Sequence, residues 1–169
     1  VQLVSNSNRL RDEINNLASL MGLDKPCYSQ MLDFTVDLFE SQGLGMEYDG
    51  YHNIEHELEV TYITLVAANW KSDLNPINQE DLKYLFTSAL FHDFDPDKSV
   101  DKPHEESVIK FLTESETLKK FLSDAELDLN IIKALILRTT FPWKGKLKEN
   151  AEKEIKKCFE NSETTKNNP

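Results

Sequence analysis

Cysteine, glycine and proline are scarce in this chain of 169 residues. The two cysteines, Cys27 and Cys158, stand far apart and form no spaced framework. That excludes a disulfide-stapled scaffold or a multi-cysteine zinc site, and it points to reduced thiols in a cytoplasmic protein. Five glycines and six prolines are about half the average usage of roughly 12%, too few turn-formers for many short strands. Long apolar runs are also missing. None reaches the ~18 residues that a membrane span needs, and VQLVSNSNRLRDE has no apolar block of the signal-peptide kind. Positive charge is short as well: 19 Lys+Arg face 30 Asp+Glu, for a net charge of −11. Such a surface repels phosphate backbones, which argues against nucleic acid as a partner. Neither a membrane nor a nucleic acid is expected.

What is present is helical periodicity. Leu10, Ile14, Leu17 and Met21 recur at helix spacing up to Gly22, and Leu32, Val36 and Phe39 do so up to Gly43. The stretch GLGMEYDGY reads as a loop. Asn53 is a good N-cap for a helix to about Asn69, with Leu58, Ile63, Leu65 and Val66 facing inward. Asn78 caps a fourth helix carrying Leu82, Leu85, Phe86, Ala89 and Leu90. The polar, proline-containing DPDKSVDKP is a loop; a helix resumes over His104–Leu112, and an amphipathic stretch follows around Leu118 and Leu122. Leu129–Leu137 is the most apolar candidate, stopped before Pro142. Lys146–Cys158 is a charged surface helix showing Leu147, Ile155 and Ala151 on one side. Trp70 and Trp143 are expected to fill gaps. The reading is one all-α domain over residues 1–169, multi-helical and compact, with about 1–5 and 160–169 frayed at the ends.

The anomaly is where the histidines lie. All four (His52, His56, His92 and His104) fall within 53 residues, each with acidic neighbours. YHNIEHELEV carries two at a helix start, and LFHDFD carries one at a helix end. A spacing of four puts His52 and His56 on one side, about 6 Å apart along the axis. Imidazole nitrogen mixed with aspartate oxygen suits borderline divalent metals. Adjacent His92 and Asp93 would diverge by ~100° on a continuing helix, so both reach one ion only if the helix ends there. Two decoys fail on spacing. A zinc-protease helix needs Glu directly after its first histidine, where Asn53 stands. The alternation Asp93, Asp95, Asp97, Ser99, Asp101 looks like a calcium loop, but Lys98 and His104 occupy the positions that need Gly and Glu.

YHNIEHELEV followed by ALFHDFD resembles the HD-domain superfamily of metal-dependent phosphohydrolases, and Tyr-His-Asn-x-x-His-x-x-x-Val is especially similar to its cyclic-nucleotide phosphodiesterase branch. The similarity is clearest from Tyr51 to about Leu112. The resemblance implies an all-helical fold and hydrolysis of a small phosphoester, a nucleotide first, by metal-activated water. His56, His92 and Asp93 match the metal ligands, with Asp93 able to bridge two ions and also serving in catalysis. His52 matches the general acid that protonates the leaving oxygen. His104, opening the next helix, matches a residue that touches substrate or a second metal. The implied cofactor is one divalent ion or two, of Mn, Fe, Zn, Mg or Ni. Lys98, Lys102 and Arg138 are candidate phosphate contacts. Glu55, Glu57 or Glu59 could orient an imidazole, although on a helix such residues are more often a solvated face. Tyr51, Phe91 and Phe94 could flank a base, or simply belong to the core.

One departure stands out. The family's last ligand is an aspartate in a segment like L-I-x-A-T-D, and here LILRTTF puts Thr140 in its place. A ligand beyond Pro169, a substitute such as Asp128, and loss of activity all remain open from sequence. The alternative function is therefore a catalytically impaired HD domain that binds a ligand or regulates a partner. A di-iron oxygenase use of the fold would need more histidine ligands than His56, His92 and His104 supply.

Overall fold

In the computed structural model, which describes residues 6–45, 48, 50–71, 77–94 and 105–162, eight helices and no strand are found among those residues. They are α1 (Asn6–Leu20), α2 (Pro26–Ser41), α3 (Ile54–Lys71), α4 (Gln79–Phe91), α5 (Glu105–Glu114), α6 (Glu116–Asp124), α7 (Leu129–Leu137) and α8 (Gly145–Asn161). The fold is all-α. No helix among the described residues is long and apolar enough to cross a membrane, and both cysteines are unpaired.

Local chemistry sets most helix ends. Pro26 opens α2 at its first turn, where a missing N–H costs nothing. Asn78 caps α4 by accepting from the Asp81 N–H at 2.7 Å. After α2, Gly43 adopts φ +67. Its N–H donates to Glu40 O, and the Leu44 N–H donates to Phe39 O at 2.8 Å, a left-handed cap that satisfies two terminal carbonyls. The same turn anchors the next helix. The Leu44 carbonyl accepts from the Ile54 N–H at 2.9 Å, so the end of α2 holds the start of α3.

Packing runs in a chain of neighbours. α3 lies against α1 and α4, α4 against α7, and α7 against α8, while α2 and α5 close the sides against α6 and α7. Phe39, Phe86, Phe91, Phe94, Met31 and Ile14 fill the core. Phe91 and Phe94 thus belong to the core.

Two expectations about α3 are corrected. Its buried face runs Ile54, Glu57, Leu58, Thr61, Leu65 and Ala68, so Ile63 and Val66 lie on the opposite side; Ile63 is 63% exposed. Trp70, expected to fill a gap, is 82% exposed on that same outer side. Trp143 is half-buried, with the Arg138 guanidinium 4.0 Å above its ring.

Candidate metal centre

Three devices bring the site together. Asn53 caps α3: its Oδ1 accepts from the His56 N–H at 3.0 Å, and its Nδ2 donates to Tyr48 O at 3.1 Å. That fixes the first turn, which carries His56 and Glu57, with His52 just outside it. At the other side α4 stops at Phe91, His92 is its C-cap, and Asp93 lies beyond the helix. The carboxylate is therefore released from the ~100° divergence of a continuing helix and turns back toward the imidazole. The packing of α3 against α4 then faces the two ends.

Asp93 Oδ2 is the centre of the arrangement. His52 Nδ1 lies 2.8 Å from it, and His56 Nε2 and His92 Nε2 each lie 3.2 Å from it. Two groups of three bring their ligand atoms within 4.8 Å of one another: His52, His56 and Asp93; and Glu57, His92 and Asp93. The expected set of His56, His92 and Asp93 is thus divided between the two groups, with Asp93 common to both. His52, expected as an acid alone, stands in ligand position beside His56.

Glu57 is the residue that sequence reasoning left undecided among three. It is wholly buried, and its Oε1 lies 3.3 Å from His92 Nδ1. Neither of its oxygens accepts a hydrogen bond, because His92 Nδ1–H donates to Ala89 O at 2.8 Å. No signal in the sequence separates it from its neighbours; the packing does. Glu57 stands three after Ile54 and four before Thr61, on the buried stripe, whereas Glu55 and Glu59 do not.

The electrostatics follow from this geometry. Burial would raise the Asp93 carboxyl, but hydrogen bonds from His56 and His92, with the charges of His92 and His52, outweigh it and hold the group well below the usual carboxylate range. Burial would lower His92; the Glu57 charge and the contact with Asp93 overcome that and push it up to about 11. For Glu57 burial wins, and its carboxyl is raised despite His92. The Ala89 carbonyl can only accept, so His92 Nδ1 keeps its proton. Its Nε2 then faces a carboxylate oxygen, which requires either a second proton on the ring or a cation between them.

These residues fit a divalent metal. Three imidazoles crowd one carboxylate oxygen, and a second carboxylate is buried with no hydrogen bond, a state that costs free energy unless a cation compensates it. Imidazole nitrogen with carboxylate oxygen is the donor mixture of Mn, Fe, Zn or Ni sites. The mouth is on the His52 side, where Tyr51, 71% exposed rather than core, sets its ring 4.1 Å from that of His56 and 5.0 Å from that of His52.

Other candidates lie elsewhere. Thr140 is buried, and its Oγ1 donates to Leu137 O at 2.7 Å; it joins neither ligand group. Asp128 is the N-cap of α7, accepting from the Asn130 N–H at 2.8 Å and from Ser162 Oγ at 2.7 Å, so it is engaged as a cap rather than as a substitute ligand. Arg138, expected beside the site, is committed to Trp143 where α7 meets α8. His104, Lys98 and Lys102 lie outside the described residues. Compared with known proteins, the chain matches no family model, no curated protein and no solved structure.

Proposed function

We propose that this chain is a metal-dependent phosphohydrolase of the HD-domain type, acting on a small phosphoester with a nucleotide as the favoured class. The observation that carries the reading is the convergence of three imidazoles on Asp93 Oδ2 beside the buried Glu57, whose oxygens accept no hydrogen bond. The motif resemblance of YHNIEH and FHD supports it.

A divalent ion held by these residues supplies Lewis-acid polarisation of a phosphoryl oxygen and lowers the pKa of coordinated water. The chain's own residues do the rest. Asp93 and His56, fixed by the end of α4 and the capped turn of α3, would hold that ion in place. Asp93 accepts from His52 Nδ1, which orients the ring and leaves Nε2 to deliver a proton to the leaving alkoxide. Phe94, buried beneath the site, keeps water out of the core side. Tyr51 offers an exposed aromatic face at the mouth, suited to stacking a base.

The test is turnover by the full chain loaded in turn with Mn, Fe, Zn, Mg or Ni, using a panel of nucleotides and a generic aryl phosphodiester, alongside elemental analysis. Hydrolysis of at least one nucleotide is expected. Thr140, which stands in place of the expected aspartate, favours a second reading as a ligand-binding regulator. Nucleotide-induced stabilisation without product from any metal-loaded form would select it and sink the hydrolase.

A further inference from the structure

The two ligand groups are unlike in a way that assigns them different tasks. His52 and His56 approach Asp93 from the open side, where His52 and Tyr51 reach solvent. On the other side Glu57 has no exposed surface and His92 very little. A fully buried carboxylate whose oxygens accept no hydrogen bond is costly and calls for a cation against it. The one positive side chain against it is His92, and that ring's Nδ1 hydrogen is directed to Ala89 O. Resting on the metal-centre reading above, we infer that Glu57 is the second carboxylate of the site, in place of the aspartate missing at Thr140. It defines, with His92 and Asp93, an inner cation position closed to substrate. The outer position, formed by His56 and Asp93 with His52 at its rim, is the open one.

Three features make this more than a count of ligands. Glu57 follows His56 directly, so the single capped turn of α3 serves both positions, turned ~100° apart. Asp93 stands between them and is common to both groups. The inner position is the more enclosed, its Glu57 having no exposed surface and its His92 11% against 29% for His52, and closed coordination is the mark of a retained ion, whereas a catalytic ion keeps an open place. The inner ion would thus resist chelation and exchange slowly. The outer one would exchange readily and meet the phosphoester.

Metal content of the full chain after exhaustive loading with cobalt or zinc, and again after brief chelator treatment, tests this without any substrate. Two ions per chain before treatment and one after are expected for the unaltered protein. Glu57→Gln preserves shape and should hold one ion, with no chelator-resistant ion and a loss of inner-site affinity well over a hundredfold. Glu55→Gln and Glu59→Gln, on the same helix but off the buried stripe, should keep both. Circular dichroism checks that each variant is folded, and Glu57→Met, of similar length and without an oxygen donor, replaces Glu57→Gln if the latter is not.

Two ions retained by Glu57→Gln would overturn the inference. So would an affinity loss of only tenfold to a hundredfold, the range of a residue that merely orients a ligand. A single ion in the unaltered protein overturns it too and leaves the hydrolase reading standing. No ion at all removes both. Turnover failing while two ions bind as described overturns only the proposed activity.

Discussion

α3 and α8 are both helices rich in charge, yet they treat it in opposite ways. In α8 the charged residues face water and pair along the helix, as in Lys148–Glu152 and Lys157–Glu154; its one buried residue is Ala151. It is an ordinary surface helix packed on α7. In α3 the sense is inverted: Glu57 and Thr61 are inside, while Ile63 and Trp70 are outside. Such an inversion costs stability, since a carboxylate is desolvated and apolar surface is left in water. A helix keeps it only where the buried polar group has something to hold. The difference teaches where chemistry sits in the bundle: at the start of α3, set against the end of α4.

Experiments on the first turn of α3 should have the largest effects. His56→Ala is expected to lose the outer ion and all turnover. His52→Ala should lower turnover about a hundredfold to ten-thousandfold, the range for a general acid, while keeping metal content. Equal phenotypes would make His52 a ligand of the same rank and erase the division of labour.

The pH dependence of stability separates the two helices next. His92 ordinarily titrates near 6.5 and is pushed up to about 11. Its imidazolium stabilises the metal-free fold fully below pH 6.5, and this contribution is lost as pH rises toward 11. Glu57, raised from 4.5, acts in the same direction. Asp93 is lowered from 3.8, and its contribution disappears only as pH falls below that value. Thermal melts in chelator should therefore show Tm falling between pH 6.5 and about 11. With metal bound the slope should reverse, because ligands must give up protons to bind. His92→Gln should flatten both. Surface changes in α8 should leave the profile untouched.

Asn53→Ala should cost about 1 kcal/mol through the lost cap and weaken metal uptake with it, as calorimetry would show. The smallest effects are expected at the outer residues. Ile63→Ala, Trp70→Ala and Lys156→Ala should each change stability by within about 0.5 kcal/mol. A large loss at Ile63 or Trp70 would mean that the outer side of α3 is covered in solution, and the inversion would then lose its meaning.

Much of the fold is legible in the residues themselves. Asn53 and Asn78 announce two helix starts, Gly22 and Gly43 two ends, and Leu129–Leu137 is delimited by its own apolarity. The histidine and aspartate pattern likewise points to segments that do meet in space. What could not be read depends on packing between elements. Glu55, Glu57 and Glu59 are chemically equal, and the position of α4 decides which is enclosed. Ile63 and Val66 look like core by hydropathy but lie across the helix from Leu58 and Leu65. The return of Asp93 toward His92 depends on the helix stopping at Phe91, and Arg138 finds Trp143 only because the chain folds back between α7 and α8.

The hydrogen bond from His92 to the Ala89 carbonyl also sets what must leave when the centre fills. With Nδ1 committed to the backbone and Nε2 set against an acid, the ring can admit a metal only by surrendering a hydrogen ion. Filling this centre is thus a swap rather than an addition: a weakly buffered sample should acidify on titration with a neutral metal salt, and the acid released per ion would count how many ligands had been holding a proton.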